Sequence, residues 1–237
     1  MKTNAKKIIL GLGLALLGSF AAKSQGVQNI IVEKYYKADA NDVANATSNG
    51  AVVPLTTNHV TYRVFVKMAP GYQLNALYGD ANHPWKYTTT TAFYNDPQFG
   101  AVVGVGTSTT NVRKATAMID SYLTMGGAAN NKQGVLKIYD TDGSIGNFNS
   151  ILANNPGGVY GAPINGSGAA DGLMTGTVQA ATAVGFSTET DIFDQTAGGT
   201  FSVNAQSIAA LGGAVGTTSD NIVFIGQFTT DGIFGFQ

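Results

Sequence analysis

Apolar and polar positions alternate most regularly over residues 60–68, where Val60, Tyr62, Val64, Val66 and Met68 interleave with Thr61, Arg63, Phe65 and Lys67. A period of two predicts a strand with one face in a core. Pro70 and Gly71 signal a turn, and residues 72–78 resume with Leu74, Ala76 and Tyr78 on one side, which predicts a hairpin partner for that strand. Trp85, Tyr87, Thr89, Thr91 and Phe93 alternate in the same way with Lys86, Thr88, Thr90, Ala92 and Tyr94. Consecutive Thr residues lose rotamer freedom in a helix, so residues 85–94 also read as a strand. Residues 27–36, β-branched at Ile30, Ile31 and Val32, predict a first strand. The continuous run Ile222, Val223, Phe224 and Ile225 predicts a central strand covered on both faces.

Weaker signals predict strands at 118–125 and 134–139, joined by the turn GGAANNKQ, and at 172–178 and 200–203. Residues 99–111 read as a strand or an extended loop, residues 39–50 as a polar loop, and residues 205–211 as a short helix or helical turn. Residues 140–172 thin into Gly, Asn, Pro and Ser, a long loop of the kind that carries function or motion. No internal repeat emerges. The expected fold is all-β, a single antiparallel β-sandwich domain over residues 25–237 with Gly-rich loops and at most a short helix.

Composition strengthens that reading: 31 Gly, 12 Phe and 10 Tyr beside 11% charged residues suit short strands and tight turns. There is no Cys, so no disulfide staples the domain. The first residues change the picture more. Lys2, Lys6 and Lys7 precede an apolar run from Ile8 to Ala22, and small residues follow at Ala22 and Ser24. That order predicts a secretory signal peptide over residues 1–24, cut after Ser24. The apolar run is shorter than the roughly 20 residues a membrane span needs, so no transmembrane segment is expected in the mature chain. The absence of Cys at the cut excludes lipid attachment there.

Four of the 13 basic residues leave with the leader, and the mature chain keeps 9 basic against 14 acidic residues, a net charge of −5. After Lys137 there are eight acids and no Lys or Arg. A surface of this sign repels phosphate backbones, and nucleic acid is excluded as a partner.

Candidate chemistry is sparse. His59 and His83 have neither a Cys nor a second His at zinc-ligand spacing, and Ser167 lies in NGSGA rather than in a nucleophile elbow. Glu33 and Glu189 are the only glutamates, and no carboxylate pair is selected for glycoside hydrolysis. Gly104 and Gly106 lack the following helix of a dinucleotide fingerprint. The segment Tyr139-Asp140-Thr141-Asp142-Gly143-Ser144 places two carboxylates two residues apart before a Gly. Asp140 and Asp142 are therefore candidate calcium ligands, although the later acids of an EF-hand are missing and an Asp-Gly turn uses the same residues. Asp39, Asn41 and Asp42 form a weaker second set. Trp85 and Tyr94 are candidates for stacking on sugar rings, against the competing expectation that Trp85, Tyr87 and Phe93 share a parity and pack inside.

The segments HVTYRVFVKMAPGYQLNALYGDANHPW, TTTTAFYNDPQFG, IDSYLTMGG, IYDTDGS and DNIVFIGQFTTDG, with a leader exit site at Ser24-Gln25, resemble a group of exported extracellular or cell-surface proteins of Bacteroidota-type bacteria. The resemblance spans nearly all of the mature chain and implies no assigned catalysis. Members often carry a C-terminal sorting module for type IX secretion. This chain departs from that pattern, ending at Phe236-Gln237 without one.

These observations lead to the expectation of a secreted, non-catalytic structural or adhesive protein of the cell surface or extracellular matrix, with the periplasm as the alternative compartment. It would bind copies of itself, another surface protein or a glycan, with calcium as the one candidate cofactor. A carbohydrate-binding module is the second reading and a secreted hydrolase the third.

Overall fold

The computed structural model describes residues 26–51, 53–108, 111–113, 116–139, 173–175, 181–184, 198–203, 207–216 and 218–237. The predicted leader and the whole 140–172 stretch lie outside them. In chain order the elements are β1 (Val27–Lys37), helix α1 (Ala40–Asn49), β2 (Val60–Met68), β3 (Leu74–Tyr78), β4 (Trp85–Thr89), β5 (Tyr122–Leu123), β6 (Gly127–Ala129) and β7 (Lys132–Gly134). They continue with β8 (Leu173–Thr175), β9 (Ala181–Val184), β10 (Gly199–Val203), β11 (Ser207–Ala214), β12 (Ile222–Thr230) and β13 (Gly235–Phe236). The protein is all-β, its strands paired antiparallel in the orders β1-β2-β12-β5, β10-β4-β13, β3-β11-β9 and β6-β7-β8, with one short α-helix among the described residues.

The four-stranded sheet is the frame, and β2 and β12 run through its middle as their apolar content demands. Phe65 and Phe224 face each other across the pair and pack on one side with Tyr35, Tyr36, Ile119 and Tyr122. Val64, Val66, Val223 and Ile225 pack on the other side with Tyr87, Phe93 and Phe228. A bulge between Phe224 and Gly226 makes Ile225 the extra residue and resets the parity, so that Gln227 meets Arg63 and Phe228 meets Tyr62.

Several local expectations change. β3 does not return against β2, because both edges of β2 are taken by β1 and β12; after the turn closed by the Tyr72 amide on the Ala69 carbonyl (3.1 Å), β3 pairs with β11 instead. Residues 207–214, expected to be helical in part, are that strand. The polar loop 39–50 contains α1. The Asp39 carboxylate accepts the Asp42 amide (3.0 Å) and the Asp42 carboxylate accepts the Asp39 amide (2.7 Å), a reciprocal cap that satisfies donors at the helix start. These two acids of the weaker calcium set are thus spent on capping.

The Thr-rich strand stops at Thr89, where Thr89 and Thr91 both hydrogen-bond the Thr230 hydroxyl (2.7 and 2.9 Å). Residues 117–119 form a 3-10 turn rather than a strand, and residues 137–139 do the same. The GGAANNKQ turn is itself a hairpin, β6 to β7, with Asn131 at φ 58 in the left-handed region that Asn tolerates at a turn.

Candidate functional site

β1 forms one outer edge of the four-stranded sheet and pairs, among the described residues, with β2 alone. An outer strand carries a row of backbone N–H and C=O groups without ladder partners, a template for another strand. Its β-branched residues keep it extended. Register shifts between Val27 and Asn29 and between Lys34 and Tyr36 bracket a regular stretch from Asn29 to Lys34. The second shift turns both Tyr35 and Tyr36 into the core. Ahead of it, Val27, Ile30 and Val32 are 42%, 48% and 47% exposed, an apolar set that the described structure leaves about half open.

Glu33 points inward from this strand, opposite Arg63. Arg63 is buried, its guanidinium carbon 3.4 Å from the centre of the Tyr35 ring and 5.2 Å from that of Phe224, while its Nε donates to Gln227 Oε1 at 2.8 Å. Gln227 passes the link on through Nε2 to the carbonyls of Met118 (2.9 Å) and Asp120 (2.7 Å). Glu33 Oε1 accepts the Lys137 amide (2.9 Å), and Oε2 is buried without a hydrogen bond. Burial pushes the Glu33 carboxyl up to about 7 against the pull of that amide and of the Arg63 and Lys137 charges. Asp42, which also accepts the Tyr36 hydroxyl at 3.1 Å, is pushed by burial to about 7.

Both carboxyls thus hold protons more tightly folded than unfolded, where their ordinary values are 4.5 and 3.8. The stability this contributes is full below those values and is lost as pH rises through about 7. Urea unfolding between about pH 5 and 8 is expected to show stability falling by a few kcal/mol, on the order of one per pKa unit for each group. The Glu33→Gln, Asp42→Asn double variant should flatten the profile.

The residues singled out from the sequence scatter. Tyr94 is fully buried, with its hydroxyl bonded to Thr116 and its ring edge-on to His59 at 6.3 Å, so its face is closed to a sugar. Trp85 is half-buried, tilted against Tyr87 (6.0 Å) and Phe236 (5.9 Å), with its indole N–H enclosed. The two do not form a platform: one belongs to each of the two cores. Asp140 and Asp142 lie outside the described residues, and no group of three His, Cys, Asp or Glu that could hold a metal occurs among those described. His83 is exposed beside Asp80 (3.2 Å), and His59 is buried, its ring Nδ1 accepting the Thr56 amide at 3.0 Å.

Two features escaped sequence reasoning. Asp96 and Asp120 form a buried knot in which Asp96 accepts the amides of Gln98, Phe99 and Thr116, and Asp120 accepts those of Asp96 and Ala101. With so many amide donors satisfied, these carboxylates hold loops together rather than face a substrate. The second is an open cleft of about 370 Å3 between Pro70–Gln73 on one side and Val215, Gly216, Thr218, Ser219 and Asn221 on the other, all uncharged. Asn221, at φ 50, staples its walls through the Gly216 amide (2.8 Å) and the carbonyls of Ala69 (2.9 Å) and Tyr72 (3.0 Å).

No helix among the described residues is long and apolar enough to cross a membrane. Comparison with protein-family models, with curated proteins and with solved structures finds no match.

Proposed function

We propose that the protein is an exported, non-catalytic structural or adhesive component of the cell surface or extracellular matrix that works by strand addition at β1. The observation that carries this reading is the outer strand itself: eleven residues long, regular from Asn29 to Lys34, and exposing Ile30 and Val32. Partner strands gain main-chain hydrogen bonds from such an edge, and alternate side chains supply the selectivity. Soluble proteins guard long edges with Lys, Pro or bulges; here Lys34 and two bulges stand at the ends of the regular stretch, and its centre is Ile30-Ile31-Val32. The leader pattern and the net negative charge of the mature chain support export into a shared space without nucleic acid.

Sedimentation velocity of the exported protein over a concentration series tests this. Association is expected to rise with concentration and to disappear in the Ile30→Lys, Val32→Lys double variant at two half-exposed positions, whose circular dichroism and urea midpoint are measured alongside to show that it is folded. A monomer at every concentration that also captures no surface component, or association unchanged in the variant, would sink the proposal.

A further inference from the structure

The side-chain order along β1 says which strand it is built to take. For two antiparallel copies related by a two-fold axis, residues that face each other lie on the same side of the sheet and their numbers add to a constant even sum. Three registers use the stretch between the bulges. With the axis at Val32, Ile30 meets Lys34 and Ile31 meets Glu33. With the axis at Ile30, Val32 meets Gln28 and Ile31 meets Asn29. With the axis at Ile31, Ile30 meets Val32, Ile31 meets Ile31, Asn29 meets Glu33 and Gln28 meets Lys34. Only the last joins apolar to apolar and polar to polar throughout, and it sets no two like charges opposite each other.

The far edge of the same sheet is closed. β5 is two residues long and buried, and its outer side is met by the bridge from Val103 to Leu123 and by the Leu123 amide on the Val102 carbonyl (3.2 Å). A second copy therefore cannot stack edge after edge through this sheet. An isologous contact of β1 with β1 consumes both open edges and ends there.

We infer that the strand received by β1 is β1 of a second copy, antiparallel about an axis at Ile31, so that two four-stranded sheets join into one of eight. The inference rests on the reading of β1 as the working surface and adds to it the partner and the register. Ile30 and Val32 of each copy then cover one another on the face that is open in the single chain, and Ile31 meets its counterpart on the opposite face. The contact is small, which places the dimer among weak, concentration-dependent associations.

The chain has no Cys, so single cysteines report the register without background. Ile30→Cys and Val32→Cys are prepared separately, then oxidised mildly alone and as an equimolar mixture, with Tyr78→Cys, 70% exposed on β3, as the control. In the inferred register residue 30 lies directly opposite residue 32, while like residues are diagonal at about 7–8 Å, beyond the roughly 7 Å a disulfide spans. The mixture is expected to give a disulfide-linked heterodimer, with neither variant linking to itself and no link to the control. Self-linking of Val32→Cys or of Ile30→Cys in place of the mixed product overturns the register. Concentration-dependent association of wild type without any β1 cross-link overturns the inference and leaves strand addition by another partner standing. A wild-type monomer at every concentration overturns self-pairing outright.

Discussion

Phe228→Ala is expected to be the most damaging single truncation, at about 3–5 kcal/mol, the range for removing a large aromatic ring from a core. The side chain is fully buried, and its ring lies 5.2 Å from that of Tyr87, 5.9 Å from Phe93 and 5.0 Å from Phe234, with which it is stacked. Phe234 stacks in turn on Tyr62 at 4.9 Å. Loss of Phe228 therefore opens a void on one face of the central sheet and also loosens the segment leading into β13, which pairs with β4. Urea unfolding should show a lower midpoint with an unchanged slope. Hydrogen exchange should show lost protection at Lys86, whose amide bonds the carbonyl of Gln237 at 2.6 Å, and at Gln237, whose amide bonds the carbonyl of Lys86 at 2.8 Å. A midpoint shift smaller than about 1 kcal/mol would mean that neighbouring rings close the space.

Arg63→Met should cost a similar amount, about 3–5 kcal/mol, by a different route. Methionine replaces the aliphatic stem between Tyr35 and Phe224 but leaves Gln227 Oε1 without its donor and removes a positive charge that attracts Glu33. Burial then acts on Glu33 with less opposition, so its pKa rises further above about 7, and the loss of stability with pH, which still begins near the ordinary value of 4.5, becomes larger and continues to higher pH than in wild type. The double variant Arg63→Met, Glu33→Gln tests that coupling in a thermodynamic cycle. It should regain part of the loss, most of all at pH above the raised Glu33 value, where the carboxyl is charged. Strict additivity of the two single changes would show that Glu33 and Arg63 do not act together.

What could be read from the chain follows from what carries a local mark. β1, β2 and β12 were legible because alternation and unbroken β-branched runs record burial directly. The helix start at Asp39-Ala40-Asn41-Asp42 also had a mark, two acids at capping spacing, but the polar composition of residues 39–50 concealed it. The Asp96–Asp120 knot had none, since two acids 24 positions apart announce nothing until the fold brings Asp120 to the Asp96 amide (2.8 Å).

Tyr94 shows how parity misleads. Its neighbour Phe93 is buried, so simple alternation turns Tyr94 outward; the strand ends at Thr89, and from there both rings enter the interior on different sides, Phe93 beside Phe228 and Tyr94 beside His59. Bulges do the same at Tyr35 and Ile225, each adding one residue and resetting which side faces in, without a residue type that requires it.

By itself, then, the sequence determined that the protein is all-β, which segments are its deepest strands, and that Ile30-Ile31-Val32 is extended and apolar. Those are properties of period and side-chain shape. Only the tertiary structure decided that β3 joins β11, that Glu33 sits against Arg63, and that β1 is, among the described residues, an outer strand with an open side. Pairing depends on which edges remain after all other strands have been placed, a competition among contacts far apart in the chain that no local pattern encodes.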